Sequence, residues 1–296
     1  KDEIVTRVLS TTDYPLLLGS VVNRILRRAY EAPAQTWRPL SRQMNASDFR
    51  TMTAIQAGGN IKLEEVSEGG EFKSGKMAEG KETWKVKTYG KIVSITRQAI
   101  INDDLNGFAR LSELFGQAAA NLEADVVWGL IINNIVLADG KALFHADHSN
   151  LKGSGGAKPS LTTLSAGRLS FRKQTGLAGE SLNLMPKFLI VPPELETVAE
   201  QIIATGYMPT TQDNINVLAR SVTPIVESRL TDADAWYLAC DPAQIDMIVH
   251  SYLDGQEGMH TETRYGFEVD GVQIKVRKDF GAGILDYRGM YKNIGK

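Results

Sequence analysis

Ile61–Trp84 reads IKLEEVSEGGEFKSGKMAEGKETW, and Lys85–Thr96 continues it as KVKTYGKIVSIT. The first block is charged and glycine-spaced, with Glu64, Glu65, Glu68, Glu71, Lys73, Lys76, Glu79, Lys81 and Glu82 set among glycines at 58, 59, 69, 70, 75 and 80. Few side chains remain with which it could build a core of its own. Thr51–Gln56 on one side and Trp84, Val86 and Ile92 on the other have strand composition. The alternation slips phase near Gly90, which predicts a bulge or bend there. The expected object is a long two-stranded hairpin projecting from a compact body. Such a ribbon is marginal in water by itself, so its natural resting place is the surface of another subunit.

Working outward, Asn102, Asp103 and Asp104 are caps for a helix whose apolar positions recur at Phe108, Leu111, Phe115, Ala118, Leu122, Val126 and Leu130. The pattern predicts a helix to about residue 137, a rod on the order of 45 Å. Gly107, Gly116 and Gly129 each weaken an isolated helix by about 1 kcal/mol, so the rod depends on packing along its length and suits a flat plate better than a bundle. Upstream, a helix is expected over 13–31, capped by Thr12 or Asp13, with Pro15 in its first turn. Leu18, Val22, Ile25 and Ala29 share one face, and Arg24, Arg27 and Arg28 project elsewhere. A solvated basic side explains these arginines better than a DNA contact. Pro33 and Pro39 flank Trp37 and force an extended connection into the hairpin.

Beyond the rod, residues 139–160 end in LKGSGGAKPS and predict a domain boundary. A helix near 162–174, the strand KFLIV, a helix started by Pro192-Pro193 and running to about Ala204, and strands near 222–228 and 235–240 follow. Their alternation predicts helices covering a sheet. GYMPTTQDNIN at 206–216 reads as an exposed loop. Phe267 and Val269 lead into Asp270-Gly271 and out through Val272, Ile274 and Val276, a strong signal for a two-residue hairpin turn.

The chain of 296 residues is 43% hydrophobic, enough for one large domain or two smaller ones. With 33 basic and 35 acidic residues and a net charge of −2, it lacks the polycationic character that direct, sequence-independent DNA binding requires. The single cysteine, Cys240 in AWYLAC, reads as a buried small hydrophobe, and a disulfide framework is excluded. No apolar run approaches the ~18 residues of a membrane span, and KDEIVTRVLS is no signal peptide, so a soluble, cytosolic chain without membrane association is expected.

Four blocks carry a family resemblance: Glu68–Asp104, EGGEFKSGKMAEGKETWKVKTYGKIVSITRQAIINDD; Leu143–Leu151, LFHADHSNL; Lys187–Glu196, KFLIVPPELE; and Tyr252–Asn293, from YLDGQEG to KVRKDFGAGILDYRGMYKN. In order and length they resemble a tailed-bacteriophage major capsid protein of the Hong Kong 97-type fold, in detail the Mu-like major head subunit group. The resemblance implies an α+β fold divided into an N-terminal arm (1–50), an extended E-loop β-hairpin (51–98), a peripheral domain with a spine helix (99–155 and 255–296) and an α/β axial domain (156–254). It implies a structural protein, not an enzyme and without cofactor, that assembles with itself into pentamers and hexamers of an icosahedral shell. That shell would enclose double-stranded DNA without sequence-specific binding. Portal, head protease and decoration proteins are the implied partners, and the virion, assembled in host cytoplasm, the implied location. Intersubunit contacts are expected at Glu64, Glu65, Glu68, Glu71, Phe72, Lys73, Lys76 and Lys81 of the E-loop and at Arg24, Arg27 and Arg28 of the arm. Lys1 in place of an initiator Met fits a maturation boundary. An encapsulin-type nanocompartment with protein cargo is the nearest rival.

Two chemical readings stand beside this one. His145, Asp147 and His148 are suitable zinc ligands and would serve a metal-dependent hydrolase. Their spacing does not fit one helical face, and a Gly/Ser-rich neighbour would not preorganise them, so a structural turn is expected. Some capsids of this fold form a Lys–Asn isopeptide link; Lys73, Lys76 or Lys81 would be donors here and Asn293 the acceptor. Solvated or ion-paired lysines are the preferred reading, because most members of the fold lack the link. No Ser-His-Asp order, phosphate loop or cysteine-pair zinc signature occurs in a fitting context.

Overall fold

The computed structural model describes residues 24–59, 77–96, 105–177, 179–204, 221–265 and 271–296. Their α-helices are α1 at 24–31, α2 at Leu105–Ile132, α3 at Leu161–Arg172 and α4 at Glu196–Ile203. In chain order the strands are β1 Ser41–Gln43, β2 Met52–Gly59, β3 Met77–Trp84, β4 Lys87–Thr96, β5 Leu151–Lys152 and β6 Pro186–Val191. There follow β7 Thr223–Val226, β8 Trp236–Cys240, β9 Ile248–Ser251, β10 His260–Tyr265, β11 Gly271–Ile284 and β12 Met290–Asn293. The chain forms two compact units: the described parts of Lys1–Gln35, Lys87–Ala124 and Tyr252–Phe280 make the first, and those of Thr36–Val86, Asp125–Ser251 and Gly281–Lys296 the second.

In the first unit, β11 is the middle strand of an antiparallel sheet, with β4 on one side and β10 on the other. Its alternation buries Val272, Ile274 and Val276 on one face, against Leu26 of α1, Phe115 of α2 and Met259. The inward residues of α1 are Leu26 and Ala29, so the apolar stripe turns on Leu26 where the sequence reading placed Ile25. Gly116 sits where α1 and α2 meet: a Cβ there would lie 2.6 Å from the Leu26 carbonyl oxygen and 2.7 Å from Ala29 Cβ. This glycine therefore permits close approach of two helices.

Two expectations need correction in this sheet. The β4–β11 register runs unbroken from Lys87 opposite Phe280 to Thr96 opposite Gly271, so Gly90 marks no bulge. A Cβ on it would instead stand 2.9 Å from the Val276 carbonyl oxygen, and the interruption in the strand falls at Lys85–Val86, between β3 and β4. On the other side, Tyr265 lies opposite Val272. A two-residue turn at Asp270-Gly271 would place Val269 there, so β10 and β11 pair as a hairpin in a different register.

The second unit holds a five-stranded mixed sheet in the order β5-β12-β8-β6-β7, with the β5–β12 and β6–β7 pairs parallel. Every residue of β8 is buried, and burial pushes the Cys240 thiol up to about 12. α3 lies against this sheet at Gly167, where a Cβ would meet Leu238 Cδ1 at 2.7 Å. A reciprocal cap starts α3: Ser160 Oγ accepts from the Thr163 amide (3.2 Å) and Thr163 Oγ1 from the Ser160 amide (2.9 Å). Elsewhere β1 pairs in parallel with β9, which pairs antiparallel with Gly281–Ile284 of β11.

α2 ends at Ile132, short of the expected residue 137. Asn134 adopts a left-handed conformation (φ 48°), and its side chain accepts from the Phe144 amide (2.7 Å) and donates to the Phe144 carbonyl (3.2 Å), diverting the chain although the apolar pattern continues. Residues 139–160, expected as a domain boundary, lie within the second unit and are stitched to it by Lys292 N–H on Asn150 O (2.8 Å) and Trp236 Nε1–H on Ala157 O (2.9 Å). Residues 13–23, 206–216 and 266–270 lie outside the described residues.

Candidate assembly surfaces

β2 and β3 form an antiparallel pair of their own, from Met52 opposite Trp84 to Gly59 opposite Met77. Among the described residues no third strand joins them. Ile55 on this ribbon is 65% exposed and lies opposite Lys81. At the root the situation reverses: Trp84 is buried, packs with Val249, Leu285, Met52 and Ala54, and donates from Nε1 to Ser251 Oγ at 2.8 Å. Gly283 is where the chain yields to it, since a Cβ there would lie 2.6 Å from Trp84 Cβ. Of the expected ribbon contacts, Lys81 is on β3; Glu64, Glu65, Glu68, Glu71, Phe72, Lys73 and Lys76 lie outside the described residues.

Arg24, Arg27 and Arg28 are exposed on α1. Arg27 Nε meets Glu31 Oε1 at 3.0 Å, with both side chains largely in solvent (81% and 60% exposed), a pair worth at most about 0.5 kcal/mol to the helix.

A buried ionic cluster in the first unit went unforeseen. Lys278 Nζ lies 3.0 Å from Glu123 Oε1, 2.6 Å from the Glu257 carbonyl oxygen it donates to, and over the rings of Tyr30 and Tyr252 at 4.6 and 4.5 Å. The Tyr30 hydroxyl donates to Glu123 at 2.6 Å. Burial, then the charge of Glu123, drives the Tyr30 hydroxyl far above its ordinary pKa. Lys278 follows Val272, Ile274 and Val276 in the inward phase of β11, and a charge in an apolar phase was the signal that could have found it. The second unit has a counterpart: Glu227, 2% exposed, accepts from Thr36 Oγ1 and meets Arg229 at 3.0 Å, while Arg229 Nε reaches Asp125 Oδ1 at 2.5 Å.

His145, Asp147 and His148 form a turn, as expected. His145 Nδ1 accepts from the Asp147 amide (3.2 Å), Asp147 pairs with Lys141 (2.7 Å), and the buried His148 stacks on Tyr287 at 3.7 Å. Both His148 nitrogens are occupied, Nε2 by Asp139 Oδ2 (2.6 Å) and Nδ1 by the Leu143 carbonyl (3.2 Å). No group of three His, Cys, Asp or Glu suited to a metal occurs among the described residues. Asn293 is 2% exposed, and its Oδ1 accepts from the amides of Ala157 (3.2 Å) and Gly295 (2.9 Å). Its side chain is engaged within the fold.

Residues 80–293 match the family model of the phage capsid protein. The chain belongs to the phage capsid protein family. No curated protein matches this capsid protein in sequence. Its fold is the Hong Kong 97-type capsid fold: against the procapsid protein of bacteriophage JBD30 the TM-score is 0.53 at 15% identity, over 96% of this chain and 75% of that one. The capsid structure of cyanophage P-SCSP1u gives 0.57 at 10% identity over 88% and 87%. A virus-like particle from Pyrococcus furiosus gives 0.52 at 11% over 93% and 98%. The structural likenesses fix the fold alone; the family match makes this chain a structural major capsid protein, which acts as copies of itself. No described helix is long and apolar enough to cross a membrane.

Proposed function

We propose that many copies of this chain tile an icosahedral phage head around double-stranded DNA, with the β2–β3 ribbon strapping each copy to the next. The observation that carries this is the ribbon itself: eight residues a side, paired only with each other among the described residues, with Ile55 in solvent. A two-stranded ladder without a buried face is marginal, and a neighbouring copy supplies the missing face. Residues 51–98 are then the E-loop, 1–50 the N-terminal arm, 99–155 with 255–296 the peripheral domain, and 156–254 the axial domain that closes pentamers and hexamers. Glu64, Glu65, Glu68, Glu71, Phe72, Lys73, Lys76 and Lys81 contact the next copy in this scheme, and Arg24, Arg27 and Arg28 serve the arm. Exposed ion pairs of this kind contribute about 0–1 kcal/mol each and set register through repetition. Portal, head protease and decoration proteins complete the assembly in the host cytoplasm.

The test replaces Ile61–Lys81 by an Asn-Gly turn. The shortened chain is expected to melt cooperatively near the wild-type temperature and to give capsomers or smaller species in sedimentation and negative-stain images, where wild type gives shells. Normal shells, or failure to fold, sink the strap. A nanocompartment shell around protein cargo is the rival reading; the nucleic-acid content of particles isolated from an infected or induced host separates the two.

A further inference from the structure

We infer that α3 of one copy receives α4 of the next, a head-to-tail contact in which the Arg168 guanidinium meets Glu200 of a second copy of this chain. The inference deepens the proposed function and rests on its self-assembly. α3 reads LTTLSAGRLSFR and is followed by Lys173, so it carries three cations and no carboxylate. Leu164, Gly167 and Phe171 are its buried residues. Beside them Leu161, Ser165, Arg168, Leu169 and Arg172 follow at three- and four-residue spacing and share a stripe. Leu161 and Leu169 are 50% and 53% exposed. Next to this stripe Leu164, Arg168, Met185, Pro186, Val222 and Leu238 line a cavity of about 170 Å³. Arg168 is half-buried there and makes no ion pair among the described residues. Exposed leucines around a cation suit a helix that brings apolar surface and a carboxylate; a phosphate chain would answer the cation alone.

α4 is the complement. It reads ETVAEQII and is preceded by Glu194, so it carries three carboxylates and no cation. Glu194, Glu196 and Glu200 are exposed, and none is ion-paired among the described residues. Glu196, Glu200 and the half-buried Ile203 share a stripe by the same spacing, and the two glutamates, four residues apart, repel one another. The helix macrodipole accounts for Glu194 and Glu196 at the start of α4 and for Arg172 and Lys173 at the end of α3. It does not account for Arg168 within α3, nor for Glu200 in the last turn of α4, where the negative end of the dipole opposes a carboxylate. These are the two charges that the single chain leaves unexplained, and they are of opposite sign.

Both helices belong to the second unit and pack on one sheet, α3 at β8 and β12 and α4 at β6 and β7. A basic and an acidic surface carried by every copy are complementary to each other and not to themselves. That rules out a two-fold contact of like with like and specifies a heterologous one, which closes into a ring where the rotation allows. A pair of this kind adds little affinity in salt but selects which surface is accepted, because like charges across a contact are costly.

The experiment compares the full wild-type chain with Arg168→Glu, Glu200→Arg and the double variant, by sedimentation velocity and native mass spectrometry, with thermal melting to establish that each is folded. Each single variant sets like charges across every contact and should lower the assembled fraction about tenfold. The double variant restores opposite charges at every contact and should assemble as wild type does. An equimolar mixture of the two single variants should assemble as well, with the two alternating, and so only into rings of an even number of copies. Single variants that assemble like wild type, or a double variant no better than either single one, overturn the contact and leave the shell reading standing. A wild-type chain that stays monomeric overturns both.

Discussion

The β2–β3 ribbon and the β4–β11–β10 sheet are both antiparallel ladders, and they are held by different things. In the sheet, one face of β11 is sealed by Leu26, Phe115 and Met259, and even a lysine on that face is enclosed and paired. On the ribbon, Ile55 is mostly in solvent and burial is concentrated at Trp84. Ladder hydrogen bonds are common to both and largely replace bonds to water, at about 0.5–1.5 kcal/mol net apiece. The apolar face separates a strand that a chain can hold alone from one that needs company.

Removing either anchor tests this with the largest effects. Lys278→Ala leaves Glu123 charged and buried without its cation, and a loss of about 3–5 kcal/mol is expected in denaturant unfolding. Lys278→Met combined with Glu123→Leu should recover most of it; no recovery would mean that the Tyr30 and Tyr252 contacts carry the stability. Trp84→Ala should cost about 3–5 kcal/mol and free the ribbon root, seen as faster proteolysis in β3. If that variant melts like wild type, the ribbon has no core anchor.

Smaller effects sharpen the contrast. Gly116→Ala drives a methyl into the backbone of α1, and overpacking of about 1–3 kcal/mol is expected, whereas Gly129→Ala, with its nearest neighbour at 3.8 Å, should stabilise by up to about 1 kcal/mol. Equal effects at the two sites would remove the close approach as the reason for Gly116. Smallest for folding is Ile55→Ala, within roughly 0.5 kcal/mol of wild type for an exposed side chain. Its consequence is expected instead in the yield of shells, measured by light scattering, and an unchanged yield would detach Ile55 from the strap.

The sequence by itself determined the type of the long, strongly periodic elements. The 3.6-residue recurrence around Phe115 and Leu122 sufficed for α2, and period-two alternation for β4 and β11, because both follow from backbone geometry over consecutive residues. The strand composition of Thr51–Gln56 and around Trp84 foretold the paired β2 and β3, and HADH read as a turn from its spacing and its Gly/Ser-rich neighbour. Tertiary structure decided what depends on partners distant in sequence. α2 stops at Ile132 because Asn134 finds the Phe144 backbone. Gly90 and Gly116 are needed because backbone from β11 and α1 comes within contact of them. The β10–β11 register departs from the one Asp270-Gly271 favours, with Tyr265 rather than Val269 opposite Val272. Lys278 is buried because Glu123, Tyr30 and Tyr252 surround it. Periodicity tells each residue which way to face; the fold alone settles what it meets there.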